Sequence, residues 1–275
     1  MFYSANSEII INYIFYFIII CFILLIVKSL LNINYKKQYS IKNKLLNNYI
    51  PNISNKIPLK LFQVYHVKDN IPDYVYTNIK KYAPEYDHYI LDDHECIIFL
   101  KEYFKPIVLE TFNELKEGAH KADLIRYCLL YIYGGIYLDI KIELIKPLSE
   151  IFTYNQYIYS VLSSSKDHIF QAIIASNPNN IFFLKLIDHI VDTKNPYDYF
   201  NFCKDFYNNI RIDTNKPINL GINIGKNQNF YIFEEKCSDN PELCYDGLDK
   251  YNVCCFVYDN NEPVIKCRYS SYPWH

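Results

Sequence analysis

The chain has 275 residues, 51% hydrophobic and 17% aromatic, with only 6 Gly where an average protein of this length carries roughly 19. Collagen-like and Gly-rich low-complexity classes are excluded, and the apolar content is enough to offset the ordering entropy that keeps polar chains disordered. The net charge of −2 is uneven, with five Lys and one Glu in residues 1–55 and an acidic remainder, which argues against a general nucleic-acid binder with a basic face.

Ile9–Val27 is a run of 19 uncharged residues. As a helix it spans roughly 29 Å, about the hydrocarbon thickness of a bilayer. No basic segment precedes it and no small-x-small cleavage site follows, so residues 1–28 read as an uncleaved membrane anchor rather than a signal peptide. Lys28, Lys36, Lys37, Lys42 and Lys44 follow the span, and the positive-inside rule would keep the body cytosolic. The Asn52-Ile53-Ser54 sequon and the late cysteines fit a lumenal body instead. Both orientations stay open. Residues 29–56 read as a polar stalk and residues 57–275 as one globular domain.

Within the body, Leu59–Val64 reads as a first strand and Tyr74–Tyr82 as a helix stopped near Pro84. A short strand, Tyr89–Leu91, ends at Asp92-Asp93, and Glu95–Phe104 is helical. Ala119–Tyr133 is the clearest helix, with Ala122, Ile125, Leu129 and Ile132 at helical spacing. Gly134-Gly135 ends it as a left-handed C-cap would. Ile136–Leu144 reads as a strand, followed by a strand at Tyr157–Leu162 and a helix at Phe182–Val191. Alternating strands and helices imply an α/β domain with a mostly parallel sheet.

Nine Cys are present, none with CxxC spacing, so a zinc site is not expected. Buried reduced thiols are one reading. The other is one or two disulfides among Cys237, Cys244, Cys254, Cys255 and Cys267, in an oxidising compartment. The histidines show no metal spacing and read as surface residues. Asp92, Asp93 and Glu95 read as a solvated acidic loop. No P-loop, GxGxxG or GxSxG occurs, which removes support for P-loop hydrolysis, Rossmann redox chemistry and serine hydrolysis.

The segment from His120 to Glu143 carries the chemistry. Asp123 and Arg126, three apart on a helix, share a face and can pair; on a surface such a pair is worth about 0–1 kcal/mol. Gly134-Gly135 reverses the chain into a strand where Asp139, Lys141 and Glu143 project to one side. Charged groups at the carboxyl end of a strand in an open α/β sheet sit where ligands bind.

Asp123-x-x-Arg126 followed by Gly134-Gly135-Ile-Tyr137-Leu-Asp139 resembles the core of family-32 glycosyltransferases, those with a DxD sugar-binding region. Ile57–Tyr65, Ala83–Asp93, Gln171–Pro178 and Val264–Tyr269 resemble flanking family segments. The resemblance implies a GT-A-type nucleotide-sugar-binding fold behind one transmembrane helix. It implies a hexosyltransferase moving mannose or another sugar from a GDP- or UDP-sugar to a glycan or glycolipid hydroxyl, with retention, at a Golgi- or ER-type or other endomembrane. Position by position, Asp123 and Arg126 would hold the donor sugar and its phosphate side, and Asp139 would be the first Asp of the DxD. Tyr65 would stand where a Trp stacks on the base, Tyr137 would line the pocket, and Trp274 would match a late Trp that contacts the donor phosphate. Catalysis would fall to Asp139, Arg126 and Lys141. The family implies a divalent ion, Mn or Mg, but Lys141 replaces the second Asp, and an ammonium has only donors to offer. Three readings follow: an ion held through Asp139 and Glu143, charge neutralisation by Lys141 itself, or a catalytically inactive nucleotide-sugar-binding homologue.

Overall fold

The computed structural model describes residues 2–47, 54, 56–154, 157–239 and 254–267. The sequon residues Asn52 and Ile53, Cys244, Arg268, Tyr269 and Trp274 lie outside them. The chain divides into two compact units, residues 1–44 and 45–275.

The first unit is a helix, α1 (Phe2–Leu45). It continues past the apolar run through the polar residues that follow. Its stretch Phe15–Leu45 is long and apolar enough to cross a membrane, and the apolar side chains from Phe15 to Val27 are exposed around the helix. A helix apolar on every side has no face to offer water.

The second unit is built on a mixed sheet of ten strands, counted among the described residues. These are β1 (Lys60–Val64), β2 (Asp87–Leu91), β3 (Gly135–Leu138), β4 (Ile142–Leu144), β5 (Tyr157–Leu162), β6 (Ile169–Ser176), β7 (Gly221–Ile224), β8 (Asn229–Ser238), β9 (Cys254–Asp259) and β10 (Glu262–Cys267). The order is β2-β1-β3-β6-β5-β8-β9-β10-β4, with β7 paired to β8. The expected mostly parallel sheet holds only for β1 with β2, β1 with β3, and β5 with β8. The other pairs are antiparallel. For β5–β6, β7–β8 and β9–β10 the reason is local: short reversals join them, too short for the crossover a parallel pair requires.

The helices are α2 (Asp73–Tyr82), α3 (Asp93–Tyr103), α4 (Pro106–Glu114), α5 (Gly118–Tyr133), α6 (Leu148–Ile151), α7 (Ile181–Thr193) and α8 (Asn201–Thr214). The acidic loop expected at Asp92–Glu95 is a capping box that starts α3. Asp92 Oδ1 accepts from the Glu95 amide at 2.8 Å, and Glu95 Oε2 accepts from the Asp92 amide at 2.9 Å, satisfying two of the helix's orphan donors.

Helix α5 positions the site. His120 and the unbroken run from Asp123 to Ile132 are buried, because α5 is sandwiched between β1, β3 and β6 on one side and α7 on the other. Gly134 (φ +64°) and Gly135 (φ +97°) then turn the chain into β3. Positive φ is as expected, although ψ at Gly134 is −162°, far from the left-handed helical value. A Cβ at Gly134 would fall 2.6 Å from the Pro178 nitrogen, and one at Gly135 2.5 Å from the Lys60 carbonyl oxygen.

The single strand expected over Ile136–Leu144 is two. The Ile142 amide donates to the Asp139 carbonyl at 3.0 Å, closing a turn over Ile140-Lys141. Beyond the turn β4 pairs with β10 rather than continuing β3. A link of this length brings the far edge of the sheet back beside β3, so β4, β9 and β10 close over the face opposite α5. Leu61, Ile136, Leu138, Leu144, Val257 and Ile265 share one core there, with Ile79 and Ala83 from α2 or its end.

Candidate functional site

Two elements bring the charged residues together. Helix α5 carries Asp123 and Arg126 on the face toward the sheet, and β3 ends at Asp139. The Arg126 guanidinium lies between the two carboxylates: Nη1 is 3.2 Å from Asp123 Oδ1 and Nη2 is 3.2 Å from Asp139 Oδ1. Nη1 also donates to the Gln171 carbonyl at 2.7 Å and Nε to the Ala122 carbonyl at 3.2 Å. Its carbon sits 4.7 Å from the Tyr137 ring centre, and the Tyr137 hydroxyl donates to Asp139 Oδ1 at 2.9 Å. The Asp123–Arg126 pair is therefore not a surface pair. Both residues are at most 5% exposed, whereas the Asp139 side chain is 34% exposed. The buried cation thus orients the one carboxylate that reaches solvent.

Burial pushes the Asp123 carboxyl up to about 6, against the opposing pull of Arg126 and His120. Burial alone would lower the Arg126 guanidinium, but Tyr137, Asp139 and Asp123 more than reverse this and hold it charged. Burial raises the Tyr137 phenol well above its ordinary value, and Asp139 adds to this while Arg126 opposes. The phenol therefore stays a neutral donor.

A polar link not singled out in the sequence supports Asp139 from behind. Gln63 on β1 is fully buried, and its Nε2 donates to the Asp139 carbonyl at 3.3 Å. Its Oε1 lies 2.8 Å from His88 Nε2 on β2, so that nitrogen carries the proton. Burial lowers His88 to about 4, keeping the ring neutral. The Asp139 amide donates to the Ala172 carbonyl at 2.8 Å. Gln171, next along β6, accepts from the Tyr127 hydroxyl. A buried glutamine in a strand that reads as apolar was the available signal for Gln63; Tyr127 and Gln171 carried none, since their meeting depends on how α5 crosses β6.

The remaining expected residues are placed differently. Tyr65, just after β1, is buried against Ile71, Val75 and Ile140, so it touches the turn that follows Asp139. Lys141 is half-buried within that turn. Glu143 lies on β4 directly opposite Lys266 of β10. His120, expected at the surface, is buried, because the segment before α8 covers the start of α5.

The donor set does not fit a protein-held divalent ion. Among the described residues, the group of three metal-type ligand atoms is Glu235, Cys237 and Cys255, and its two cysteines form a disulfide. None gathers at Asp139, where Oδ1 already accepts two hydrogen bonds and the next charged residue is a lysine. A hard cation needs several oxygen ligands.

Residues 71–158 match the family described as the glycosyltransferase sugar-binding region containing the DXD motif. The initiation-specific alpha-1,6-mannosyltransferase of Saccharomyces cerevisiae is 30% identical over 138 residues, 42% of this chain and 28% of that protein. The mannosyl phosphorylinositol ceramide synthase SUR1 of the same yeast is 30% identical over 147 residues, 52% of this chain and 37% of that protein. The uncharacterized glycosyltransferase L373 of Acanthamoeba polyphaga mimivirus is 29% identical over 135 residues, 49% of this chain and 53% of that protein. The chain thus spans well under half of the two yeast relatives and about half of the viral one. Among solved structures, the PaToxG glycosyltransferase aligns at 17% identity with a TM-score of 0.43, covering 67% of this chain and 76% of that one. The matched segment contains α5, the glycine pair, Asp139 and the turn after it, so the similarity to the glycosyltransferase sugar-binding region falls on the residues of the site.

Proposed function

We propose that the chain is a membrane-anchored hexosyltransferase that moves a sugar, mannose being the first to test, from a GDP- or UDP-sugar to a hydroxyl of a glycan or glycolipid. The observation that carries this reading is the buried Asp123–Arg126–Asp139 bridge at the carboxyl end of β3. Isolated buried charges are costly and persist where they are paired and put to use. Here the outward edge of Asp139 accepts hydrogen bonds from the donor sugar's hydroxyls, the buried Asp123 holds Arg126 behind it, and Tyr137 with Gln63 fixes the Asp139 turn.

Transfer breaks the bond between the sugar's anomeric carbon and the diphosphate oxygen, leaving negative charge on the nucleoside diphosphate. Stabilising that charge is the main demand on the site. The donor set is short of metal ligands, so this role falls to Arg126 and to Lys141 in the turn. The acceptor hydroxyl forms the new bond and gives up its proton; with retention, that proton can leave with the departing diphosphate. Residues 1–28 anchor the enzyme, with the stalk and the body following. The disulfide between Cys237 and Cys255, directly opposite on β8 and β9, and the disulfide-bonded state of Cys254 favour an oxidising, lumenal side for the body.

The test is release of UDP or GDP from a panel of nucleotide-sugars by the full chain in detergent, with and without EDTA. Turnover of one donor, abolished by Asp139→Ala, is expected. Binding of a donor without turnover under every ion condition would instead favour the inactive homologue that Lys141 raises.

A further inference from the structure

The sheet orders the site laterally. Tyr65 ends β1, Asp139 ends β3, and the β5–β6 turn lies at the start of β6. Because β6 runs antiparallel to β3, that turn shares an edge with Asp139. Next to it lies Tyr197–Phe200, the segment leading into α8, where Tyr197, Tyr199 and Phe200 are 108%, 52% and 44% exposed.

The last two of these rings are held in place. His120 Nε2 donates to the Tyr199 carbonyl at 2.9 Å, with the two ring centres 5.4 Å apart. His120 lies one helical turn before Asp123, so Tyr199 is tied to the carboxylate helix itself. Burial raises the Tyr199 phenol, and Asp123, Cys203 and Asp139 add to this. Phe200 packs edge-on against Tyr199 at 5.2 Å and, on its other side, lies 4.7 Å from the His168 ring at a tilt of 31°. Asp198 pins the backbone: its Oδ1 accepts from the Phe200 amide at 3.0 Å and its Oδ2 from Lys204 Nζ at 2.8 Å. His120 Nδ1 is buried without a hydrogen-bond partner, a polar atom at the root of the platform that awaits a donor or water.

We propose that Tyr199 and Phe200, with His168 and the carboxylates of Asp167 and Asp198 at their rim, form the acceptor subsite, and that it takes a neutral pyranoside. The inference rests on the transferase reading above and adds the class of acceptor. The ring faces cover the apolar C–H face of a sugar, as aromatic surfaces do for half-apolar partners. The carboxylates, 62% and 44% exposed, accept hydrogen bonds from its hydroxyls and repel an anionic head group. The lateral order then follows the reaction, with transferred sugar at β3 and acceptor toward β6.

The experiment is saturation-transfer NMR on the full chain in detergent with methyl α-D-mannopyranoside and methyl α-D-glucopyranoside. Saturation of at least one glycoside's ring protons is expected, falling at least about fivefold in Tyr199→Leu/Phe200→Leu, as loss of two stacked rings implies, and kept in Tyr199→Phe. Should the double variant fail to fold, Tyr199→Leu alone, altering one half-exposed ring, is expected to lose about half the signal or more. No saturation of either glycoside, or saturation undiminished in the folded variants, overturns the proposal. Nucleotide release by the wild type is measured in parallel. A chain that turns over a donor yet ignores both glycosides refutes the acceptor subsite alone, and one that binds glycosides through these rings without donor turnover refutes the transferase reading alone.

Discussion

Asp123→Asn separates what the buried bridge does for stability from what it does for function. The Asp123 carboxyl sits at about 6 instead of the ordinary 3.8, even with Arg126 in contact. Between about pH 4 and pH 6 the folded chain therefore holds a proton that the unfolded chain has released, and stability from this group falls as pH rises through that window. Above it the ionised carboxylate penalises folding by about 3 kcal/mol. An isosteric amide removes that penalty while keeping an oxygen for the Arg126 donors. Asp123→Asn is expected to be more stable than the wild type by about 1.5 kcal/mol at pH 5 and by up to about 3 kcal/mol at pH 7.5, while losing donor turnover. Denaturant unfolding of the full chain in detergent at both pH values reads this directly. A variant destabilised by more than about 2 kcal/mol at pH 7.5, the direction expected when a buried pair is net stabilising and one partner is removed, would refute the reasoning.

Gln63→Leu leaves the His88 donor and the Asp139 carbonyl without their partner, and a loss of about 1–3 kcal/mol is expected in the same unfolding measurement. Gly135→Ala drives a methyl toward the Lys60 carbonyl at a positive φ, so a loss of about 2–4 kcal/mol is expected, with β1 and β3 forced apart. Donor turnover is expected to persist in EDTA, whereas Lys141→Asp is expected to make it depend on added Mn²⁺ or Mg²⁺; wild-type activity abolished by EDTA and restored by metal would count against Lys141. In the wild type, turnover is expected to rise with pH along a limb near 6 as Asp123 ionises, and a profile flat from pH 5 to 7.5 would contradict its role.

The elements that could be read in advance are those whose pattern is local. Helix α5 declares itself through apolar spacing and the glycine pair, and β5 through a short apolar run bounded by polar residues. The break at Ile140-Lys141 was hidden because alternation of polar and apolar residues continues through the turn and looks the same in either arrangement. The antiparallel pairing of β3 with β6 and of β4 with β10 was equally hidden, since it joins segments distant in sequence. At the site, Asp123, Arg126, Tyr137 and Asp139 were found from their motif and do meet. Their burial was not legible, because spacing on a helix does not reveal which face is covered. Tyr199 and Phe200 could not be found either, as they reach the site only through the fold of the segment between α7 and α8.

The placement of Arg126 has a consequence for how the site works. Its five donors face two carboxylates, two backbone carbonyls and a tyrosine ring, so the cation is committed before any ligand arrives. A guanidinium held this way loses no rotamer freedom on binding, and its charge acts across a medium drier than water. The half-exposed carboxylate of Asp139 is what such a fixed charge can aim. Lys141 lies on the turn that Asp139 begins, between β3 and β4. In the transfer proposed above, Arg126 is therefore a fixed charge behind Asp139 rather than a group that must move to meet the donor.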